Sequence, residues 1–189
     1  GADISKCRAM FAQAARSGAP LFSASALRWS TEMHLARDEF SSGYEEPIEA
    51  VYIKVPNVME QYGIHAVEMA NVLLGADVRS VKGASAGNRS TAILQYGSGQ
   101  TAVIEALHAQ ARPSYCVIVY GQRHTKMHHL YDTGLPFIGL LRAFVKMAED
   151  GTVPVSEDEV MQMMTITFAA EEACKRSLGV ELAPYPART

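Results

Sequence analysis

The sequence predicts an α+β two-layer sandwich, an antiparallel β-sheet with helices on one face. Two observations carry this prediction. Segments with strand periodicity follow one another through the middle of the chain, and segments with helical periodicity follow one another at its end. Strands in succession and then helices in succession are the pattern of α+β rather than α/β architecture. Hydrophobic content of 48% and charged content of 20% over 189 residues fit one globular domain, or one domain plus a fragment.

The first element predicted is a helix from Asp3 to Ser17. Ile4, Cys7, Phe11, Ala14 and Ala15 form its apolar stripe, Asp3 is a candidate cap, and Gly18 followed by Pro20 stops it. Leu21 to Ser25 reads as a short strand, and Ser30 caps a second helix to Phe40, ended by Ser41-Ser42-Gly43. This opening has the form of the last turn of an α/β unit whose earlier strands are not in the chain. From Pro47 the character changes: Val51, Ile53 and Val55 alternate with Tyr52 and Lys54, strand periodicity with one buried face. A helix spanning Tyr62–Gly75 follows. Strands are then expected at Val78–Gly83, Thr91–Tyr96, Thr101–Ala109 and Tyr115–Tyr120, with an edge strand at His124–Leu130. Gly97-Ser98-Gly99-Gln100 joins the middle pair as a hairpin turn. Phe137, Ile138, Leu141, Phe144, Val145 and Ala148 define one helical face closed by Gly151. Ser156-Glu157-Asp158-Glu159 is a capping box opening a helix to Ser177, and Val180–Leu182 forms a last short strand before a loose tail from Pro184 to Thr189.

The bulk properties exclude several function classes. A net charge of −3 and no basic stripe argue against nucleic-acid binding. No apolar run reaches the roughly 18 residues that span a bilayer, and no signal peptide is visible. Cys7, Cys116 and Cys174 are odd in number and far apart, so they suit neither a disulfide framework nor a zinc site, and a cytoplasmic location is expected. The Gly97–Thr101 turn lacks the Gly-Lys-Ser/Thr ending of a phosphate loop and lies between strands, and no Gly-x-Gly-x-x-Gly occurs, so no cofactor site is expected in this chain.

His65, Glu68 and Asn71 recur at steps of three on an otherwise apolar helix and therefore share one side of it. Burying polar groups without partners is costly, so the stripe either closes a structural network or lines a cleft. A lone histidine on an apolar helix is more often a satisfied core residue than a catalyst. His65 stands at the helix start after Gly63, however, where its ring can face a cleft, and a neighbouring acid can fix its tautomer. His124, His128 and His129 lie in Arg-His-Thr-Lys-Met-His-His; with only Asp132 nearby to complete a set, they read as exposed or pocket-lining rather than as metal ligands.

Three segments resemble, in this order and spacing, the C-terminal part of the Gfo/Idh/MocA family. Residues 17–29, Ser-Gly-Ala-Pro-Leu-Phe-Ser-Ala-Ser-Ala-Leu-Arg-Trp, look like the strand and loop that close the family's nucleotide-binding domain. Gly63-Ile64-His65-Ala66-Val67-Glu68 looks like its Gly-x-His-x-x-Asp/Glu helix start, and Phe137–Leu182 looks like its closing helix pair. The resemblance implies residues 1–28 as a helix–strand remnant of a Rossmann domain and residues 29–189 as a substrate-binding and oligomerisation domain. Its sheet is expected to be open and mostly antiparallel, with a bare face that pairs with another subunit as a homodimer or higher homo-oligomer. It also implies an NAD(P)-dependent oxidoreductase acting on a sugar, cyclitol or related polyol. His65 takes the catalytic position, where the family's histidine helps shuttle the substrate proton, and Gln61, Glu68 and His124 are assigned to substrate binding.

The sequence departs from the family in two respects. Many members have an aspartate where this chain has Gln61, which is neither acid nor base. The family's Glu-Lys-Pro lysine and glycine-rich loop would lie upstream of Gly1, in roughly 120 further residues, about one ordinary domain. NAD or NADP therefore belongs to the complete protein, and the fragment alone is expected to be inactive. The competing expectation is a non-catalytic stand-alone interaction module that forms homo-oligomers through its sheet face.

Overall fold

The computed structural model describes residues 4–107, 114–131 and 134–183. Strands β1 (Ile48–Val55), β2 (Val78–Ala86), β3 (Arg89–Tyr96), β4 (Thr101–Leu107), β5 (Tyr115–Gly121), β6 (Thr125–Leu130) and β7 (Gly179–Glu181) form one seven-stranded sheet in the order β6-β5-β1-β4-β3-β2-β7. Every neighbouring pair is antiparallel except β1 and β4, which run parallel at the centre. Helix α3 (Met59–Leu74) carries the chain away from β1 before the β2–β3–β4 meander returns to pair with that strand's other edge. A long excursion of this kind is what a parallel pair requires. The Gly97–Gln100 hairpin sets the β3–β4 register, Gln95 opposite Thr101.

Helices α3 and α5 (Glu157–Arg176) cover one face of the sheet. Beneath them lie Val51, Ile53 and Val55 of β1, Ala92 and Leu94 of β3, and Ala102, Ile104 and Ala106 of β4, all buried. The alternation along β4 therefore places Ala102, Ile104 and Ala106 under the helices, with Val103 and Leu107 on the opposite face. Gly83 is needed because α5 lies so close to β2 that a Cβ there would come 2.6 Å from the Cys174 nitrogen. Ser156 caps α5, its hydroxyl accepting the Glu159 N–H at 3.3 Å.

One expectation is corrected. Leu21–Ser25 forms no strand; the chain there runs extended into a 3₁₀ turn at Ala26–Trp29. Side chains hold the backbone donors where the segment enters the turn: Glu68 accepts the Ser25 N–H and the Ser25 hydroxyl accepts the Leu27 N–H. The apolar face of α4 (Leu135–Asp150) is the face it turns outward. Phe137, Ile138, Leu141, Phe144 and Val145 are between 47% and 60% exposed. The helix rests instead through Pro136, Gly139 and Met147 chiefly on the 3₁₀ turn, where Gly139 lies so close to Trp29 that a Cβ would clash.

The remaining helices are α1 (Ile4–Ser17), which packs on α5 through Phe11, and α2 (Thr31–Asp38), which Ser30 caps and a π turn at Glu39–Gly43 ends. Asp3, the far end of Thr101–Ala109, Asp132 and the Pro184–Thr189 tail lie outside the described residues. Among the described residues no helix is long and apolar enough to cross a membrane.

Candidate functional site

Helix α3 begins where β1 ends, and its first turns bring Tyr62 and His65 beside Tyr115 at the start of β5. The His65 ring meets Tyr62 edge-on at 5.6 Å between centroids and Tyr115 at 6.0 Å, while the two tyrosines stack at 6.3 Å. Its Nδ1 lies 2.8 Å from the Ser25 hydroxyl oxygen. Burial holds the His65 imidazole below its ordinary pKa, which favours the neutral ring. Burial, with Tyr62 adding to it, pushes the Tyr115 phenol up to about 12, so it stays a hydroxyl at neutral pH.

One turn on, Glu68 is buried, its side chain 1% exposed. The Arg28 Nε donates to it, and the Arg28 Nη2 donates to Glu159 on α5. Asn71 donates to the same Glu159 oxygen at 2.8 Å. Burial works against the Arg28 charge, but the two carboxylates outweigh it and raise the guanidinium's pKa. Burial pushes the Glu68 carboxyl upward, and Arg28 and the Ser25 N–H pull it back only in part. The polar stripe of α3 thus does two things: Glu68 and Asn71 close a network with Arg28 and Glu159, while His65 borders open space.

That space consists of two hollows flanking the Ser25–His65 pair. One, of about 170 Å³, lies between α3 and α5 and is lined also by Ile64, Glu68 and Met163. The other, of about 230 Å³, is lined by Tyr62, Tyr115 and Phe137 with Ala26 and Leu27. Both fall below the roughly 300 Å³ of pockets that enclose drug-sized ligands, so the site suits a small molecule.

The other expected residues lie differently. Gln61 is exposed on the first turn of α3, its side-chain oxygen accepting from Asn57 at 3.5 Å. His124 stacks on Tyr44 at 3.8 Å between centroids, and its backbone N–H donates to Glu46 at 3.0 Å. It follows the end of β5 opposite Tyr115, roughly 20 Å from the His65 end. The structure therefore brings Glu68 to His65 but not His124. Ser25, Arg28, Tyr115 and Glu159 complete the site without having been singled out. Only Arg28 had a signal: a buried acid on an apolar helix demands a cation.

Among the described residues no group of three His, Cys, Asp or Glu side chains is placed to hold a metal. Among the described residues no dinucleotide cradle is formed at these two turns: β1 enters α3 through Pro56-Asn57-Val58 with no glycine, and the Gly97–Gln100 turn joins antiparallel strands.

No protein family's sequence profile matches the chain, and no curated protein matches it by sequence. Solved structures match it in fold. Against scyllo-inositol dehydrogenase from Lactobacillus casei with bound NAD(H) and scyllo-inositol, identity is 12% and the TM-score 0.82, covering 96% of this chain and 70% of that one. Against myo-inositol 2-dehydrogenase from Lactobacillus plantarum the values are 14%, 0.81, 97% and 71%. Against GenD2 from gentamicin A biosynthesis in complex with NAD they are 12%, 0.82, 96% and 69%. The inositol dehydrogenases among these structures are of the Gfo/Idh/MocA type, and the open, mostly antiparallel sheet expected of such a C-terminal domain is the fold found.

Proposed function

We propose that this chain is the substrate-binding and self-associating domain of an NAD(P)-dependent oxidoreductase that acts on a sugar, cyclitol or related polyol. The observation that carries this reading is His65: a half-buried histidine, its neutral form favoured by burial, beside two small hollows, in a fold shared with inositol dehydrogenases. Residues 1–28 would then close a nucleotide-binding unit, and residues 29–189 would hold the substrate.

In this reading His65 is the catalytic residue and meets the oxygen whose carbon changes oxidation state. Tyr62 and Tyr115 line the same space and are side chains that can meet a ligand with several hydroxyl groups. Glu68 supports the site from behind through Arg28 and the Ser25 backbone. The hydride acceptor is a nicotinamide held elsewhere in the complete protein. Self-association is assigned to the sheet face away from α3 and α5, where Ile93, Tyr120 and Met127 are 36%, 40% and 58% exposed.

Titration with NADH tests the division of labour. The chain alone is expected to leave NADH fluorescence unchanged, and the chain joined to a nucleotide-binding domain is expected to bind NADH and, supplied with NAD⁺ as hydride acceptor, to oxidise a polyol. Tight NADH binding by the chain alone overturns the reading.

A further inference from the structure

The contact between Ser25 and His65 determines more than the position of a ring. Ser25 is 6% exposed and sits at the N-cap of the Ala26–Trp29 turn, with its hydroxyl oxygen accepting the Leu27 N–H at 3.2 Å. Its hydroxyl proton therefore needs an acceptor, and buried donors are almost always satisfied. His65 Nδ1, at 2.8 Å, is the acceptor the geometry provides. In the reverse arrangement, with Nδ1–H donating, the Ser25 oxygen would accept twice and its own proton would have no acceptor among the described residues.

We infer that Ser25 is a positioning residue: its O–H donates to His65 Nδ1 and fixes the imidazole as the Nε2–H tautomer. Two features support this beyond the single distance. The Ser25 backbone is itself tied down, because its N–H reaches Glu68 at 3.5 Å and Glu68 is held by Arg28. The edge-on packing of Tyr62 and Tyr115 restrains the ring's rotation. Tautomer choice in a neutral histidine is set by the bond its other nitrogen makes, and here a serine from the 3₁₀ turn makes that bond.

The consequence concerns which substrate atom His65 can meet. A neutral ring with its proton on Nε2 offers a hydrogen-bond donor, so it fits a carbonyl oxygen, or the lone pair of a hydroxyl, and polarises it. This deepens the proposed role of His65 and rests on it, but the tautomer can be measured without substrate.

The test is long-range ¹⁵N–¹H correlation on the labelled chain, at a pH well above the ordinary histidine pKa of about 6.5, with His65 assigned by its loss in His65→Gln. The expected pattern is an unprotonated, pyridine-type Nδ1 and a protonated, pyrrole-type Nε2. A pyrrole-type Nδ1 overturns the inference outright, whatever any variant does. In Ser25→Ala the nitrogen shifts should move toward the average of two exchanging tautomers, and Ser25→Thr, which keeps the hydroxyl, should restore the original pattern. An unchanged pattern in folded Ser25→Ala removes Ser25 from the role. If Ser25→Ala does not fold, Ser25→Cys, with similar bulk and a weaker donor, supplies the same comparison. Failure of the substrate reading, seen as no polyol contact at His65, would leave these nitrogen shifts untouched.

Discussion

Helices α3 and α4 are both predominantly apolar, and they meet opposite fates. α3 lies between the sheet and α5, so nearly all of its surface is covered and even Glu68 and Asn71 are buried. α4 leans on a single 3₁₀ turn and presents Phe137, Leu141 and Phe144 outward. A helix apolar all round marks its own burial, because a second face has to be covered by something. A helix with one apolar stripe marks only that a cover is favourable, not where the cover is. In α4 the contact with the chain is made by Pro136, Gly139 and Met147, which is the narrower side, and the broad apolar side is left to something else.

The largest effect expected from breaking this comparison is on the α3 side. Arg28→Ala leaves Glu68 buried without its counter-charge, and breaking one partner of a buried pair costs about 3–5 kcal/mol. Urea denaturation should show that loss, and a change below about 0.5 kcal/mol, typical of surface substitutions, would mean that the network carries little of the fold's stability. A second, intermediate test separates the exposed apolar surfaces. Met127→Lys on the bare sheet face should shift the chain toward monomer in sedimentation, whereas Leu141→Lys on α4 should leave both association and stability unchanged. The opposite pattern would move the self-association surface to α4.

The smallest effect is on pH dependence. Burial holds the folded His65 pKa below its ordinary value, so as pH falls the unfolded chain takes up the proton first. The stability contributed by the neutral ring is complete above the ordinary value near 6.5 and is lost progressively as pH drops from there toward the lower, folded value. His65→Gln should flatten the stability profile in that window, and an unaltered slope would show the ring to be solvated.

Much of this was legible in the sequence because it is local. The alternation of Val51, Ile53 and Val55, the Gly97–Gln100 hairpin, and the stops and caps at Ser30, Gly151 and Ser156 each act over a few residues. What was not legible depends on contacts between distant parts of the chain. Leu21–Ser25 has strand composition, but Glu68, 43 residues on, takes the Ser25 N–H. The parallel β1–β4 pair joins residues 51 apart, such as Val51 and Ala102, with a helix and two strands between them. Half of the candidate site, His65 and Glu68, stood out in the sequence by its spacing. The other half did not, because Ser25, Tyr115 and Glu159 carry no local signature and are assembled by packing.

The most direct test of the account is titration of the ¹⁵N-labelled chain with scyllo- or myo-inositol, followed residue by residue. The account predicts perturbations centred on Tyr62, His65 and Tyr115, lost in His65→Ala. No perturbation up to the solubility limit of the polyol, or shifts confined to the His124 end of β5, would contradict it.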